Sequence, residues 1–315
     1  MTDRFQCADH ARVRQDPLAG TAATAGRWLL IEHNGPWAPD ALAGSGIEDR
    51  VQAVLAGAAR AASTRIVLIR RPGRPEQGGR RRWAIMSQSA GDTPTWGTWL
   101  TDGDLLAPAL VLTGAPPPAD AAAADAPPQP LLLVCTHGRH DTCCAVRGRP
   151  VAAALAERWP ETTWECSHIG GDRFAGNVVV LPDGTYYGNL DAESAVGVVD
   201  SHLGGRVDAA YLRGTSSHPP TVQAAVVAAH ERLGPAGPRD VVAFTTERLD
   251  EGSWRVCLTC RGSLPTEVVA VVTRSIRPAA QLTCRAPTLS RAYAYSVAPL
   301  SRPADVARSC VAARR

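Results

Sequence analysis

The sequence predicts an α/β protein, and three observations support that prediction. Short apolar runs bounded by turn residues, which are typical of buried strands, alternate with longer segments typical of helices. A stretch rich in Ala and Pro at residues 115–130 offers nothing to bury, so we interpret it as an extended linker. The chain of 315 residues is long enough for two or three domains, and its 45% hydrophobic content is usual for soluble globular proteins.

The segment after the linker, residues 131–205, contains the elements of one α/β unit. The predicted elements are a buried strand at 131–134, a helix at 151–158, a strand at 162–166, a hairpin at 177–188 and a helix at 192–203. Pro150 is expected at the first position of the first helix, after a polar loop. The order strand, helix, strand, hairpin, helix is that of a thioredoxin-like fold, and its strand–helix–strand part implies a parallel pair with a right-handed crossover.

The region before the linker, residues 1–114, repeats part of this pattern. Strands predicted at 27–32 and 65–70 flank a helix at 47–62, and residues 81–87 with 95–100 indicate a hairpin. We interpret it as a second α/β domain, with the hypothesis that it is a degenerate thioredoxin-like copy from an older duplication. Residues 206–315 are interpreted as a C-terminal α/β extension, which either completes the middle sheet or builds a third layer.

Composition and charge argue against several classes of function. The net charge is only +3, all basic residues are Arg, and no aromatic residues interleave with the dense basic run at 65–82, so we expect no nucleic-acid partner. No stretch approaches the roughly 20 apolar residues that span a bilayer, so we expect no membrane partner. The N-terminus lacks the basic-then-apolar layout of a signal peptide, so we expect a cytoplasmic protein.

Cysteine usage indicates metal or redox chemistry. Nine cysteines are many for a cytoplasmic protein, where disulfides seldom persist, and an odd number cannot pair completely. Three of them, Cys135, Cys143 and Cys144, lie within ten residues of one another after a predicted buried strand. Thiolates bind iron or zinc, and the nearby His137 and His140 either favour the thiolate form or contact the ligands from outside.

A second polar element, His168-Ile169-Gly170-Gly171-Asp172, follows the next predicted strand. It offers an imidazole and a carboxylate around two glycines, which let the backbone come close to a bulky inorganic group. The loops after two parallel strands emerge at the same edge of a sheet. We therefore expect Cys135 and His168 to lie near one another although they are distant in sequence.

The joint pattern resembles the sucrase/ferredoxin-like family, whose core is a thioredoxin-like ferredoxin. The specific part of the resemblance is Cys135 and Cys144 with eight residues between them, followed by His168-Ile169-Gly170-Gly171. The resemblance covers nearly the whole chain up to about residue 225 and is weaker after that. Further stretches that resemble bacterial members are 17–22, 28–33, 135–138, 173–177, 181–188, 213–214 and 222–225.

The resemblance implies a 2Fe–2S cluster as the cofactor. In the better-understood eukaryotic branch of the family, two cysteines and the two histidines of a His-x-Gly-Gly-His motif hold the cluster. Carried over to this sequence, Cys135 and Cys144 would bind one iron and His168 the other.

The fourth ligand is the point at which this sequence departs from the family's pattern. Asp172 stands where the second histidine is expected, and an anionic oxygen ligand should lower the reduction potential relative to an imidazole. Alternatively Asp172 is not a ligand, and Cys143 or Cys166 fills the position.

We therefore predict an electron carrier rather than an enzyme, with electrons passing through the cluster edge on the His168 side. No convincing Gly-rich dinucleotide fingerprint is present, so an external reductase or acceptor would be the redox partner. Two alternatives stay open: a zinc-stabilised α/β module, and a thiol–disulfide redox protein, although the expected Cys-x-x-Cys is absent from the first strand–helix junction. The remaining cysteines are interpreted as structural: Cys7, Cys257, Cys260, Cys284 and Cys310.

Overall fold

The computed structural model describes residues 5–73, 79–88, 92–117 and 127–301, and every structural statement below concerns these residues. They form a nine-stranded mixed sheet and a four-stranded antiparallel sheet, with helices packed against both. The predicted α/β class is thereby confirmed.

The first half of the large sheet comes from residues before the linker. Its elements are α1 (Cys7–Val13), β1 (Arg27–Glu32), α2 (Asp49–Ala61), β2 (Thr64–Arg70), β3 (Arg81–Ser87), β4 (Thr95–Trp99) and α3 (Leu106–Leu112). Strand β1 pairs in parallel with β2 and antiparallel with β3, which pairs antiparallel with β4. The strands, helix and hairpin predicted for this region are all present.

The second half repeats this arrangement. Its elements are β5 (Leu131–Cys135), α4 (Thr142–Arg158), β6 (Thr163–Cys166), β7 (Val178–Leu181), β8 (Thr185–Tyr187) and α5 (Ala192–Leu203). Strand β5 pairs in parallel with β6 and antiparallel with β7, which pairs antiparallel with β8. Both halves therefore place their first strand between its parallel partner and the hairpin, and the older duplication stays a hypothesis.

The start of α4 corrects the sequence-based prediction. The helix begins at Thr142, well before Pro150, because the carboxylate of Asp141 accepts a hydrogen bond from the Cys143 N–H and caps the first turn. Pro150 lies inside the helix on its exposed side, where the missing N–H removes one backbone hydrogen bond. Cys143 and Cys144 therefore lie in the first turn of a helix and not in a polar loop.

The two halves join edge to edge through β2 and β6. These strands pair antiparallel at Ile69–Cys166 and Arg70–Glu165, which gives the order β4-β3-β1-β2-β6-β5-β7-β8 followed by one further strand. An ion pair of 2.7 Å between Arg70 and Glu165 reinforces the junction. One continuous sheet thus runs from the N-terminal region into the cysteine-bearing segment. Of the predicted linker, residues 118–126 lie outside the described residues.

The C-terminal extension contributes to both sheets. Strand β9 (Leu212–Thr215) pairs with β8 at the end of the large sheet. Helix α6 (Pro220–Leu233) packs between β9 and the second sheet, and its residues from Val222 to His230 are all buried. The second sheet consists of β10 (Val241–Asp250), β11 (Ser253–Cys260), β12 (Glu267–Ile276) and β13 (Tyr293–Val297). On β11, Cys260 is a free thiol and Cys257 is disulfide-bonded, so these two cysteines are not bonded to each other.

The core of the large sheet reaches the predicted site. Trp28, Trp164 and Tyr186 are buried in one apolar cluster that also includes Cys135 and Cys144. Among the helices that the structure describes, none combines the length and the apolar character that a bilayer crossing requires.

Candidate metal centre

Two of the predicted ligands, Cys135 and Cys144, are brought together by the close packing of α4 on β5. Cys135 is the last residue of β5, Cys144 lies in the first turn of α4, and both side chains are buried. Gly148 permits this packing, because a Cβ atom at that position would lie 2.0 Å from the carbonyl oxygen of Cys135. A helix with any larger residue there would have to move away from the strand.

The other two predicted ligands, His168 and Asp172, lie on the loop after β6. Gly170 and Gly171 have φ angles of 99° and 81°, in the left-handed region that favours glycine. They turn the loop so that the side chains of His168 and Asp172 approach each other. The guanidinium of Arg65, on β2, donates a hydrogen bond of 3.0 Å to the carbonyl oxygen of His168, so the N-terminal half helps to fix the loop.

The structure brings these four side chains together. Ligand atoms of Cys135, Cys144 and His168 lie within 4.8 Å of one another, and His168 forms a second such group with Asp172 and His140. Asp172 links the two groups, because its Oδ1 lies 3.1 Å from Cys144 Sγ and 2.9 Å from His168 Nδ1. The sulfur donors are buried, whereas the side chains of His168 and His140 are 23% and 36% exposed.

The two alternative ligands lie elsewhere. The Sγ atom of Cys143 lies 3.4 Å from that of Cys284, in a separate group. Cys166 is buried on β6, opposite Cys135 in the sheet register, and it joins none of the ligand groups within the described ranges. Of the three residues considered for the fourth position, Asp172 is the one that lies in a group with His168.

Both ring nitrogens of His137 are hydrogen-bonded, so neither is available to bind a metal. Its Nε2 lies 2.7 Å from the carbonyl oxygen of Ala38, and its Nδ1 accepts a hydrogen bond of 3.2 Å from the backbone N–H of His168. The carbonyl partner assigns the ring proton to Nε2. Trp37 packs edge-on against the ring, with 5.8 Å between the centroids. His137 therefore orients the His168 backbone from outside.

His140 is a further candidate ligand, which sequence reasoning considered only for an outer role. Its Nδ1 lies 3.2 Å from the carbonyl oxygen of Pro39, while its Nε2 lies 3.7 Å from Asp172 Oδ2. Its ring stacks on that of His168 with 3.8 Å between the centroids. Metal-binding histidines commonly donate their other N–H to a carbonyl. The carbonyl comes from the N-terminal half, so no local sequence signal could have identified it.

The side chains of the site shift one another's pKa values in opposite directions, lowering those of Cys135 and Asp172 and raising those of Cys144 and His168. Hydrogen bonding from Cys144 lowers the pKa of Cys135 well below its usual value despite burial, and the same bond together with burial raises the pKa of Cys144. Burial alone would lower the pKa of His168, but Asp172 and the Cys135 thiolate raise it to about 9. Burial opposes ionisation of Asp172, yet His168 outweighs it and lowers the pKa of the carboxyl group. A metal binds thiolate, carboxylate and neutral imidazole, so its binding would release the protons of Cys144 and His168.

The donors fit an iron or zinc centre. His168 Nδ1 lies 2.9 Å from Asp172 Oδ1, so the two side chains form an ion pair when the ring is protonated. A metal ion would take the place of that proton between the two donors. Two sulfurs, one nitrogen and one oxygen make up a donor set that suits either metal.

The fold is thus an α/β fold with a group of cysteine, histidine and aspartate side chains that could hold a metal ion at the carboxyl ends of β5 and β6. The family model described as sucrase/ferredoxin-like matches residues 18–214, which is more than half of the chain, and the protein belongs to that family. The resemblance seen in the sequence is thereby confirmed.

Among curated proteins, the chain is similar to the altered inheritance of mitochondria protein 32 of Meyerozyma guilliermondii. The two are 33% identical over a segment that covers 23% of this chain and 29% of that protein. The similar segment thus spans less than a third of the relative's length. No solved structure matches this chain.

Proposed function

We propose that this protein is a 2Fe–2S electron carrier in which Cys135 and Cys144 hold one iron and His168 and Asp172 the other. The observation that carries the proposal is the pair of donor groups that share His168, with five donor side chains between them. Four of these are the proposed ligands, a number that would also serve one tetrahedral ion, and the family's pattern of two cysteines and two histidines around a 2Fe–2S cluster favours a dinuclear centre. Once bound, a cluster of this type accepts and releases one electron at a time.

Arg213 supports the proposal as a fixed positive charge behind the site. The side chain is fully buried, and its guanidinium donates to the carbonyl oxygen of Gly170 at 2.9 Å and to Asn177 Oδ1 at 2.8 Å. Burial lowers the pKa of Arg213 to about 10, so the group remains charged at neutral pH. A cation here offsets the anionic thiolate and carboxylate donors and favours the reduced state, which carries one more negative charge.

The exposed side chains of His168 and His140 favour their side of the site as the route by which electrons enter and leave. Cys135 and Cys144 are buried where α4 packs on β5, whereas His168 and His140 reach the surface. A redox partner would therefore dock over these two rings. We propose an external reductase or acceptor as that partner, and a cytoplasmic location remains a prediction.

Ligand variants with matched metal analyses test the proposal. We expect Cys135→Ser and Cys144→Ser to lose the iron and acid-labile sulfide, because each removes one thiolate from the same iron. His168→Cys should keep the cluster and lower its reduction potential by roughly 100 mV or more, since thiolate replaces neutral imidazole. Cys260→Ser, which changes a buried free thiol on β11, is the control and should keep both the iron and the potential.

Two results would contradict the proposal. One is a Cys135→Ser protein that is folded and keeps its colour and iron. The other is a wild-type protein that is colourless and holds zinc through Cys135, Cys144, His168 and Asp172, which would favour the zinc-stabilised alternative.

A further inference from the structure

A second group of ligand-type side chains lies on the other side of the first turn of α4. Its members are Cys7, Asp141, Cys143 and Cys284, whose ligand atoms all lie within 4.8 Å of one another. We infer that these four side chains bind a single zinc ion in a structural site separate from the proposed cluster. The inference goes beyond the proposed function and does not depend on it.

The distances within the group match those around one tetrahedral zinc ion. Cys284 Sγ lies 3.4 Å from Cys143 Sγ and 3.6 Å from Cys7 Sγ, and Cys7 Sγ lies 3.6 Å and 3.7 Å from the two carboxylate oxygens of Asp141. Zinc–ligand bonds of about 2.3 Å to sulfur and 2.0 Å to oxygen separate two sulfurs by about 3.8 Å, and a sulfur and an oxygen by about 3.5 Å. The donor atoms therefore need to move only a few tenths of an ångström to reach the separations that a zinc ion requires.

Backbone N–H groups point to three of the four donors, the sulfurs of Cys143 and Cys284 and the carboxylate of Asp141. The N–H of Ala8 points to Cys143 Sγ at 3.5 Å, and the N–H of Cys7 points to Cys284 Sγ at 3.4 Å. Asp141 accepts from the N–H of Cys143 at 2.9 Å and from that of Cys284 at 2.6 Å, one on each oxygen. Each carboxylate oxygen can accept two bonds, so a lone pair stays free for a metal.

The charge balance of the group calls for a cation. Asp141, Cys7 and Cys143 are completely buried, and Asp141 has no Lys, Arg or His within ion-pair distance among the residues that the structure describes. Two backbone N–H groups and the N-terminus of α4 compensate part of the free-energy cost of burying the Asp141 carboxylate, and no cationic side chain of the described residues adds to them. A divalent ion would add a positive charge, and zinc suits three sulfurs and one oxygen.

A disulfide explains the group less well. Any pairing of two of the three thiols would leave the third beside the buried carboxylate of Asp141. The three cysteines also come from segments far apart in the chain: Cys7 begins α1, Cys143 is in α4, and Cys284 follows β12. One ion would hold all three segments together. Because Cys144 follows Cys143 directly, the ion would also fix the turn that presents Cys144 to the first site.

Zinc-edge X-ray absorption of the wild-type protein tests the inference without any variant. The protein is purified anaerobically from a zinc-supplemented culture and washed with a weak chelator. We expect about one zinc per chain, with three sulfur neighbours and one oxygen neighbour. Because the measurement is specific to zinc, iron at the other site does not interfere. Protein without zinc, or zinc with two sulfurs and an imidazole, would overturn the inference.

Variants assign the ion to these residues. Cys7→Ser and Cys284→Ser should each reduce the zinc content about tenfold or more while Cys260→Ser keeps it, since removing one of four ligands weakens binding strongly. Cys135→Ser should lose iron but keep zinc, which separates this inference from the proposed function. Zinc unchanged in both Cys7→Ser and Cys284→Ser, or a disulfide between Cys143 and Cys284 in anaerobically prepared protein, would also overturn it.

Discussion

At the scale of single residues, the role of each histidine depends on what its two nitrogens already bind. His137 uses both nitrogens, one on a carbonyl and one on a backbone N–H, so it can only position its neighbours. His140 uses one, and its Nε2 remains directed near Asp172. The sequence showed that both histidines are close to the cysteines. It could not show that His137 uses both nitrogens and His140 only one, because their carbonyl partners are residues 38 and 39 of the N-terminal half.

The fourth ligand is tested by comparing Asp172 with His140. We expect Asp172→Ala to lose most of the iron, because the alanine leaves one iron with a single protein ligand. Asp172→His should keep the cluster and raise its reduction potential, since a neutral imidazole replaces an anionic oxygen. His140→Ala serves as the matched control and should retain the iron. Iron that persists in Asp172→Ala but disappears from His140→Ala would reverse the assignment.

At the scale of secondary-structure elements, the packing of α4 on β5 sets the site. Strand β5 and the β7–β8 hairpin could be predicted from the apolar and turn residues within each segment. The start of α4 was not, because Pro150 is a strong start signal and the true cap, Asp141, is separated from it by a stretch with few helix-forming features. Gly148 also could not be interpreted from sequence alone, since its role depends on contact with Cys135 on another element.

Substitution of Gly148 tests this packing. We expect Gly148→Ala to lower the free energy of unfolding by about 1–3 kcal/mol and to reduce iron content, because the added Cβ would collide with the Cys135 carbonyl and push α4 outward. Gly57→Ala in α2 is the control, since a Cβ there meets nothing within 4 Å. Gly57→Ala should instead raise the free energy of unfolding by about 0.5–1 kcal/mol. Urea unfolding monitored by circular dichroism measures both, and equal effects would contradict the argument.

Helix α6 provides a pH-dependent contribution to stability through His230. Burial lowers the pKa of His230 to about 4, although the Asp240 carboxylate opposes the shift slightly. The folded state therefore keeps the ring neutral, and its stability is fully present above the unfolded pKa of about 6.5 and lost as the pH falls toward 4. Between pH 7 and pH 5, wild type should lose about 2 kcal/mol more than His230→Gln. Urea unfolding at pH 7 and pH 5 measures the free energy of unfolding of both proteins. An equal decrease in wild type and His230→Gln would contradict this assignment.

At the scale of the whole molecule, the site depends on both halves of the large sheet. Residues 131–205 supply the four proposed ligands, as the sequence predicted. The N-terminal half adds the carbonyls that hold His137 and His140, and Arg65 holds the His168 loop. The edge-to-edge pairing of β2 with β6 creates these contacts. It could not be predicted, because either half alone has a complete pattern and no local feature specifies which edges join.

The cysteines also make contacts between distant parts of the chain that the sequence could not predict. Cys7 is buried, as expected for a structural cysteine, but it lies in one group with Cys143 and Cys284, which are far from it in the chain. No spacing rule links residues so far apart. Cys310 lies outside the described residues.

The most direct test of the central claim is electron paramagnetic resonance of anaerobically purified, dithionite-reduced protein, with ¹⁵N-labelled histidine. We predict the signal of one reduced 2Fe–2S cluster per chain, with hyperfine coupling to the nitrogen of a single histidine, which disappears in His168→Cys. A colourless protein that gives no signal and contains no iron would contradict the account.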